Sequence, residues 1–178
     1  MRKIVSGLFI SLDGVVEAPD TWIGSYFSDE VEQTVGSLMA AGDTLLLGRV
    51  TYQEFAFVFG SQTGETAEWM NSTPKVVLSK TLASAGWQNS TLIGRHPVEA
   101  ITKLKQEPGR NINVSGSATL VRWLLRQRLL DQLDLLLFPL VVGGGKRLFD
   151  GDAGRVALGL TGCHAFSNGV LHLTYRPD

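Results

Sequence analysis

One recurrence constrains the fold of this 178-residue chain more than any other feature. Short apolar runs, each too short for a helix, close in a turn of small or polar residues, and a helical pattern often follows. Ile4–Ile10 runs into Asp13-Gly14, Thr44–Leu47 into Gly48-Arg49-Val50, Val76–Leu78 into Ser79-Lys80, and Asn113-Val114 into Ser115-Gly116-Ser117. Thr91–Ile93 reads as a further strand. The intervening segments carry helix signals. Ser28 stands at an N-cap, with Asp29 and Glu30 in the first turn, Val31, Val35, Leu38 and Met39 on one face, and Gly42 at the stop. Thr51-Tyr52-Gln53-Glu54 has capping-box spacing, and a short helix is expected around 65–71. Pro97 suits the first position of a helix running to Gln106, with His96 as its cap and Pro108-Gly109 as its close. Ser117 to about Arg128 places Leu120, Val121 and Leu124 inward. Strands alternating with helices predict an α/β chain with a mostly parallel sheet.

The C-terminal end breaks the rhythm. Leu133–Val142 reads as one long strand, and Pro139 within it implies an edge or a bulge. Leu158–Phe166 and Val170–Tyr175 flank Asn168-Gly169, a hairpin signal. Residues 1–178 show no repeat, linker or composition break, so a single domain is expected.

Composition narrows the function classes. With 44% apolar and 19% charged residues and a mean hydropathy of +0.10, the chain carries enough apolar surface to bury a core. A net charge of −1 gives no basic field, which argues against nucleic acid and anionic membranes as partners. No apolar run approaches the ~18 residues of a membrane span, and Met1 leads directly into a strand-like run, so a cytoplasmic protein is expected. Cys163 stands alone in an apolar strand and reads as a buried thiol. His96, His164 and His172 have no metal-ligand spacing, and the last two read as exposed strand positions. No metal site is expected.

In an open α/β sheet, ligands bind beyond the carboxyl ends of the strands. Three turns there have suitable chemistry. Gly48 lets a backbone approach a ligand, while Arg49 and Thr51 offer donors for a phosphate; a plain glycine turn is the other reading. Gly116, Ser117, Ala118 and Thr119 form a small-residue turn able to cradle a pyrophosphate, or merely a tight junction. Ser79 and Lys80 offer a hydroxyl and an amine, or a solvated turn. None matches the dinucleotide fingerprint G-x-G-x-x-G. Gly143-Gly144-Gly145-Lys146 fails as a P-loop because Arg147 stands where Ser or Thr is required. Asp13 is a candidate to orient or protonate a heterocyclic substrate if burial raises its pKa, and Trp22 to stack on a flat ring; a turn aspartate and a core-packed tryptophan are the alternatives.

Taken together in order, Ser11-Leu12-Asp13-Gly14-Val15-Val16-Glu17, Leu46–Tyr52, Pro74–Leu82, Val114–Leu120, Pro139–Phe149 and Gly169–Pro177 resemble the dihydrofolate reductase-like family, RibD C-terminal type. The resemblance spans nearly the whole chain. It implies a three-layer dihydrofolate reductase-like fold and NADPH as cofactor. Gly48, Arg49 and Thr51 would hold phosphate, Ser79 and Lys80 the adenosine 2′-phosphate, and Gly116, Ser117, Ala118 and Thr119 the pyrophosphate. Asp13 and Trp22 would face nicotinamide and substrate. The matching dihydrofolate reductase turn is Gly-Gly, where this chain has Gly116-Ser117. The activity implied is reduction of a small heterocycle, such as the ribosylamino group of a riboflavin precursor. The alternatives are a pterin reductase, for which Asp29 is the placed carboxylate, and a non-catalytic nucleotide-binding module. A homodimer is implied, with the exposed strand expected near Pro139 as a surface for it.

Overall fold

In the computed structural model, which describes residues 1–151 and 154–178, the apolar runs pair into one eight-stranded sheet. The elements are β1 (Ile4–Ser11), α1 (Asp29–Ala40), β2 (Gly42–Gly48), α2 (Arg49–Phe59), α3 (Glu65–Ser72), β3 (Lys75–Leu78), β4 (Ser90–Ile93), α4 (Pro97–Gln106), β5 (Asn111–Ser115), α5 (Ala118–Arg126), β6 (Gln132–Phe138), β7 (Leu158–Ala165) and β8 (Leu171–Pro177). The strand order is β4-β3-β2-β5-β1-β6-β8-β7. The pairs from β4 through β6 are parallel, while β8 runs antiparallel to both β6 and β7.

Side-chain alternation along the strands builds the three expected layers. Ile4, Leu8, Leu46, Ile112 and Leu133 point to the face covered by α4 and α5, where Ile101, Val121 and Leu124 are fully buried. Leu45, Leu47 and Val77 point the other way, beneath Tyr52 of α2 and Met70 of α3. On that same face Val31 of α1 packs against Leu136 and Phe138 of β6. Truncating a side chain such as Leu124 to Ala costs about 3 kcal/mol.

Several local expectations change once the elements pack. Ala41 is the C-cap of α1 and Gly42 opens β2, where a Cβ would lie 2.5 Å from the Asn113 side chain. The capping box at Thr51 does not form; α2 begins at Arg49 with Gly48 as its N-cap, and Thr51 is buried in the first turn. Ser28 and His96 hold their N-cap positions but make no side-chain cap bond. β6 stops at Phe138, so Pro139 lies beyond it, and β6 is an interior strand between β1 and β8. The exposed strand expected near Pro139 therefore does not exist. The hairpin loop is longer than a two-residue Asn-Gly turn. The Gly169 amide bonds to the Phe166 carbonyl, and only Gly169 takes the left-handed conformation, at φ 87°.

The C-terminal hairpin also reverses two burial expectations. Cys163 is exposed. His172 is half-buried, and its Nε2 lies 2.9 Å from Oδ1 of the fully buried Asp134. Burial opposes ionisation of Asp134, yet hydrogen bonds from His172, Gln132 and Thr174 overcome it and hold the carboxyl below its ordinary value.

Candidate functional site

The direction in which each helix leaves the sheet locates the site. β2 and β5 are neighbours, but α2 departs over one face and α5 over the other. A crevice opens between two such strands at their carboxyl ends, where an open α/β sheet binds ligands. The N-termini of α2 and α5 flank it.

The two turns at this crevice touch. A Cβ on Gly48 would lie 3.3 Å from Ser117 Oγ, and one on Gly116 would lie 3.4 Å from the Thr51 methyl. Glycine at 116 is required by its φ of +83°. Ser117 follows in the left-handed region at φ 62°, and its hydroxyl accepts the Leu120 amide at 3.2 Å to cap α5. The first amides of an α-helix have no intrahelical acceptor. At Ser117, Ala118 and Thr119, and at Val50 and Thr51, no turn, loop or side-chain acceptor among the described residues takes them. The crevice is thus lined by free N–H groups at the positive ends of two helix dipoles, an arrangement suited to an anion.

The other expected donors lie beside this crevice, in the first turn of α2 and in the loop after β3. Arg49 is exposed, and its guanidinium donates 3.0 Å to Gln53 on its own helix. Thr51 contributes its methyl to the contact with Gly116. Ser79 immediately follows β3, next to β2, where its hydroxyl accepts the amides of Thr81 and Leu82 at 3.2 and 2.9 Å. Lys80 is exposed. Ala118 is buried at the start of α5, and Thr119 is exposed.

Asp13 and Trp22 occupy a different place and do a different job. Asp13 lies in the loop after β1, where its carboxylate accepts the Ser11 hydroxyl at 2.6 Å, the Val142 amide at 3.1 Å and the Gly143 amide at 3.0 Å. Arg147 adds an ion pair at 3.5 Å and donates Nε to the Asp13 carbonyl. The Ser11 hydroxyl and the two amides hold this carboxyl far below the ordinary carboxylate range. The expectation of a proton donor required burial to raise it, and the geometry does the reverse. Trp22 is half-buried, 5.7 Å from the Phe138 ring in an edge-to-face contact, with Nε1 donating to the Glu17 carbonyl. Its indole packs on the core of β6 and is not presented as a stacking platform.

The sequence reading missed the partner of this loop. Gly143–Gly145 begins the strap that Asp13 and Glu17 clasp. Glu17 accepts the Lys146 amide at 3.1 Å and pairs with Lys146 Nζ at 3.2 Å, so its carboxyl also falls below its ordinary value. Gly145, at φ +113°, would place a Cβ 3.0 Å from Val15. The signal was present in Asp13 and Glu17 set against Lys146 and Arg147, but their pairing spans about 130 residues and no local spacing reveals it.

Comparison with known proteins agrees with this architecture. The chain is 27% identical to Bacillus subtilis (strain 168) YyaP over 180 residues, covering 98% of this chain and 95% of that one. It is 28% identical to YwjB of the same organism over 175 residues, with 95% of each covered. Among solved structures, a Shewanella sp. PV-4 protein assigned to riboflavin biosynthesis superposes with a TM-score of 0.79 at 21% identity, over 99% of both chains. The Thermotoga maritima diaminohydroxyphosphoribosylaminopyrimidine deaminase/5-amino-6-(5-phosphoribosylamino)uracil reductase superposes at 0.69 and 12% identity, with 99% of this chain covering 57% of that one. Enterococcus faecalis dihydrofolate reductase, solved with NADP(H), gives 0.61 at 13% identity, over 99% of this chain and 96% of that one. These likenesses carry the fold, and the family follows from a match that runs through both the crevice turns and the clasped strap. The RibD C-terminal domain family matches residues 2–172, and the chain belongs to it.

Proposed function

We propose that this protein is an NADPH-dependent reductase of a small heterocyclic substrate. The observation that supports this reading is the pair of touching turns at the β2–β5 crevice, with unclaimed amides from two helix N-termini converging on one place. A pyrophosphate meets those amides from both sides, with Gly48 and Gly116 keeping side chains out of its way. Arg49 and Lys80 are the cations beside the crevice, and they favour the 2′-phosphorylated cofactor over NADH. When bound, the cofactor supplies the hydride; the chain supplies position and electrostatics.

The clasp of Asp13, Glu17 and the Gly143–Gly145 strap forms the neighbouring wall, beyond β1 and β6. Its carboxylates are committed to backbone amides and cations. In this reading they hold the strap in place and give up no proton to the substrate. The family and its structural neighbours support 5-amino-6-(5-phosphoribosylamino)uracil as the first substrate to assay, with dihydrofolate as the alternative. The test is fluorescence titration with NADPH and NADH, followed by turnover of each substrate. Saturable NADPH binding, tighter than NADH by at least about tenfold, is the expected outcome. No binding of either at about millimolar concentration removes the reading.

A further inference from the structure

The two cations beside the crevice belong to different segments, and something must set their spacing. Arg49 opens α2, while Lys80 follows β3 in the loop of residues 79–89 that leads to β4. Both side chains are exposed. One hydrogen bond joins the two segments. Tyr52, one turn on from Arg49, is 4% exposed, and its hydroxyl accepts the Trp87 amide at 2.8 Å. Among the described residues it is the only hydrogen bond between α2 and this loop.

Trp87 is a fixed point in that loop. Its indole Nε1 donates to Asn71 Oδ1 at 2.7 Å, and its ring centroid lies 4.3 Å from Lys75 Nζ. Asn89 Nδ2 adds bonds to the Asn71 and Ser72 carbonyls at the end of α3. At the other end of the loop, Ser79 Oγ accepts the Thr81 and Leu82 amides and stiffens the turn that carries Lys80. Between them, Leu82 and Ala85 are half-buried in the apolar cluster of Tyr52 and Trp87. Apolar packing is non-directional and tolerates sliding, whereas a hydrogen bond has a preferred length and angle. The Tyr52 hydroxyl is therefore the contact that fixes where the loop sits along α2.

We propose, on the reading that NADPH fills the β2–β5 crevice, that Tyr52 is a positioning residue for cofactor choice. By holding the Trp87 amide, its hydroxyl sets the spacing between Arg49 and Lys80, and with it their grip on a 2′-phosphate. An anion held by two cations on separate segments is sensitive to that spacing. Each attraction falls with distance, and each charge-assisted bond has a narrow geometry. NADH has no group there, so the same slack costs it little. Tyr52 itself is buried and acts through the loop.

Parallel fluorescence titrations of the wild-type chain and Tyr52→Phe with NADPH and NADH test it. Tyr52→Phe keeps the ring and deprives the Trp87 amide of its acceptor. NADPH affinity is expected to fall about fivefold, with NADH within about twofold. Tyr52→Phe combined with Lys80→Ala is expected to bind NADPH no more weakly than Lys80→Ala alone, since both act through one contact. In the wild-type chain NADPH, and not NADH, is expected to slow hydrogen exchange at the Trp87 amide, because coupling between two equilibria is reciprocal. An equal loss for both cofactors in Tyr52→Phe overturns the proposal, as does a double variant whose losses multiply. Should Tyr52→Phe fail to fold, exchange in the wild-type chain decides alone, and equal protection by both cofactors overturns it. A wild-type chain that binds neither cofactor removes the cofactor reading and this role of Tyr52 with it. A wild-type chain that prefers NADPH, beside a Tyr52→Phe variant with the same preference, removes the role of Tyr52 alone.

Discussion

Two regions lie side by side along the carboxyl edge of the sheet, and they answer the same chemical demand in opposite ways. At the β2–β5 crevice, backbone amides of two helix starts converge and have no partner among the described residues. At the β1–β6 loops, the donors and acceptors find each other: Asp13 takes Ser11, Val142 and Gly143, and Glu17 takes Lys146. Both regions are rich in glycine and charge, and by composition they look alike. What separates them is satisfaction. Backbone N–H groups left unclaimed at a helix start are available to a ligand, whereas a carboxylate saturated by protein donors has become part of the scaffold.

This contrast breaks most visibly at Gly116. Gly116→Val forces a side chain into a left-handed backbone and against Thr51, so NADPH affinity should fall by more than about thirtyfold and stability by about 1–3 kcal/mol. Fluorescence titration and thermal melts measure both. If affinity survives, the crevice is not the cofactor site. A second large effect is expected away from both regions, as a control on fold alone. His172→Ala leaves Oδ1 of the buried Asp134 without its imidazole hydrogen-bond partner and should cost about 2 kcal/mol in chemical denaturation, with little change in cofactor affinity.

A more specific test compares Arg49→Ala with Lys80→Ala. Each should weaken NADPH by about tenfold while leaving NADH within about twofold, as read by parallel titrations. An equal loss for both cofactors would move these cations from the 2′-phosphate to the pyrophosphate. The smallest effect on affinity should come from Asp13→Asn, within about threefold for NADPH. The same variant should speed hydrogen exchange at the Val142 and Gly143 amides, because a neutral amide accepts more weakly than a carboxylate. Acid should mimic it. Asp13 and Glu17 have lowered pKa values in the fold, so the stability they confer is present above the unfolded carboxylate range. That stability is lost as pH falls through their folded values. Exchange at these two amides should therefore be slow at neutral pH and rise, after correction for intrinsic rates, under strong acid.

The sequence determined a good deal by itself. Element order and layer assignment are local consequences of apolar periodicity, and α4 runs from Pro97 to Gln106 as the Pro-first signal predicts. The turns at Gly48 and Gly116 were legible too, because a strand ending in glycine before a helix is a short-range pattern. Other features depended on partners far along the chain. Lys75 opens β3 yet is 1% exposed, since its Nζ donates to the carbonyls of Met70, Asn71 and Thr73 at the end of α3 and lies 4.3 Å from the Trp87 ring centroid. Asp13 has the residue type and position of a catalytic acid, and only its contacts with Val142, Gly143 and Arg147 show that its proton is unavailable. Which strand lies at the sheet edge was likewise decided by pairing, which buried β6 and left β7 outermost. Local sequence fixes backbone conformation through torsional preference and periodicity. The charge state of a group and the exposure of a strand depend on what folding brings against them, and that only the tertiary structure decides.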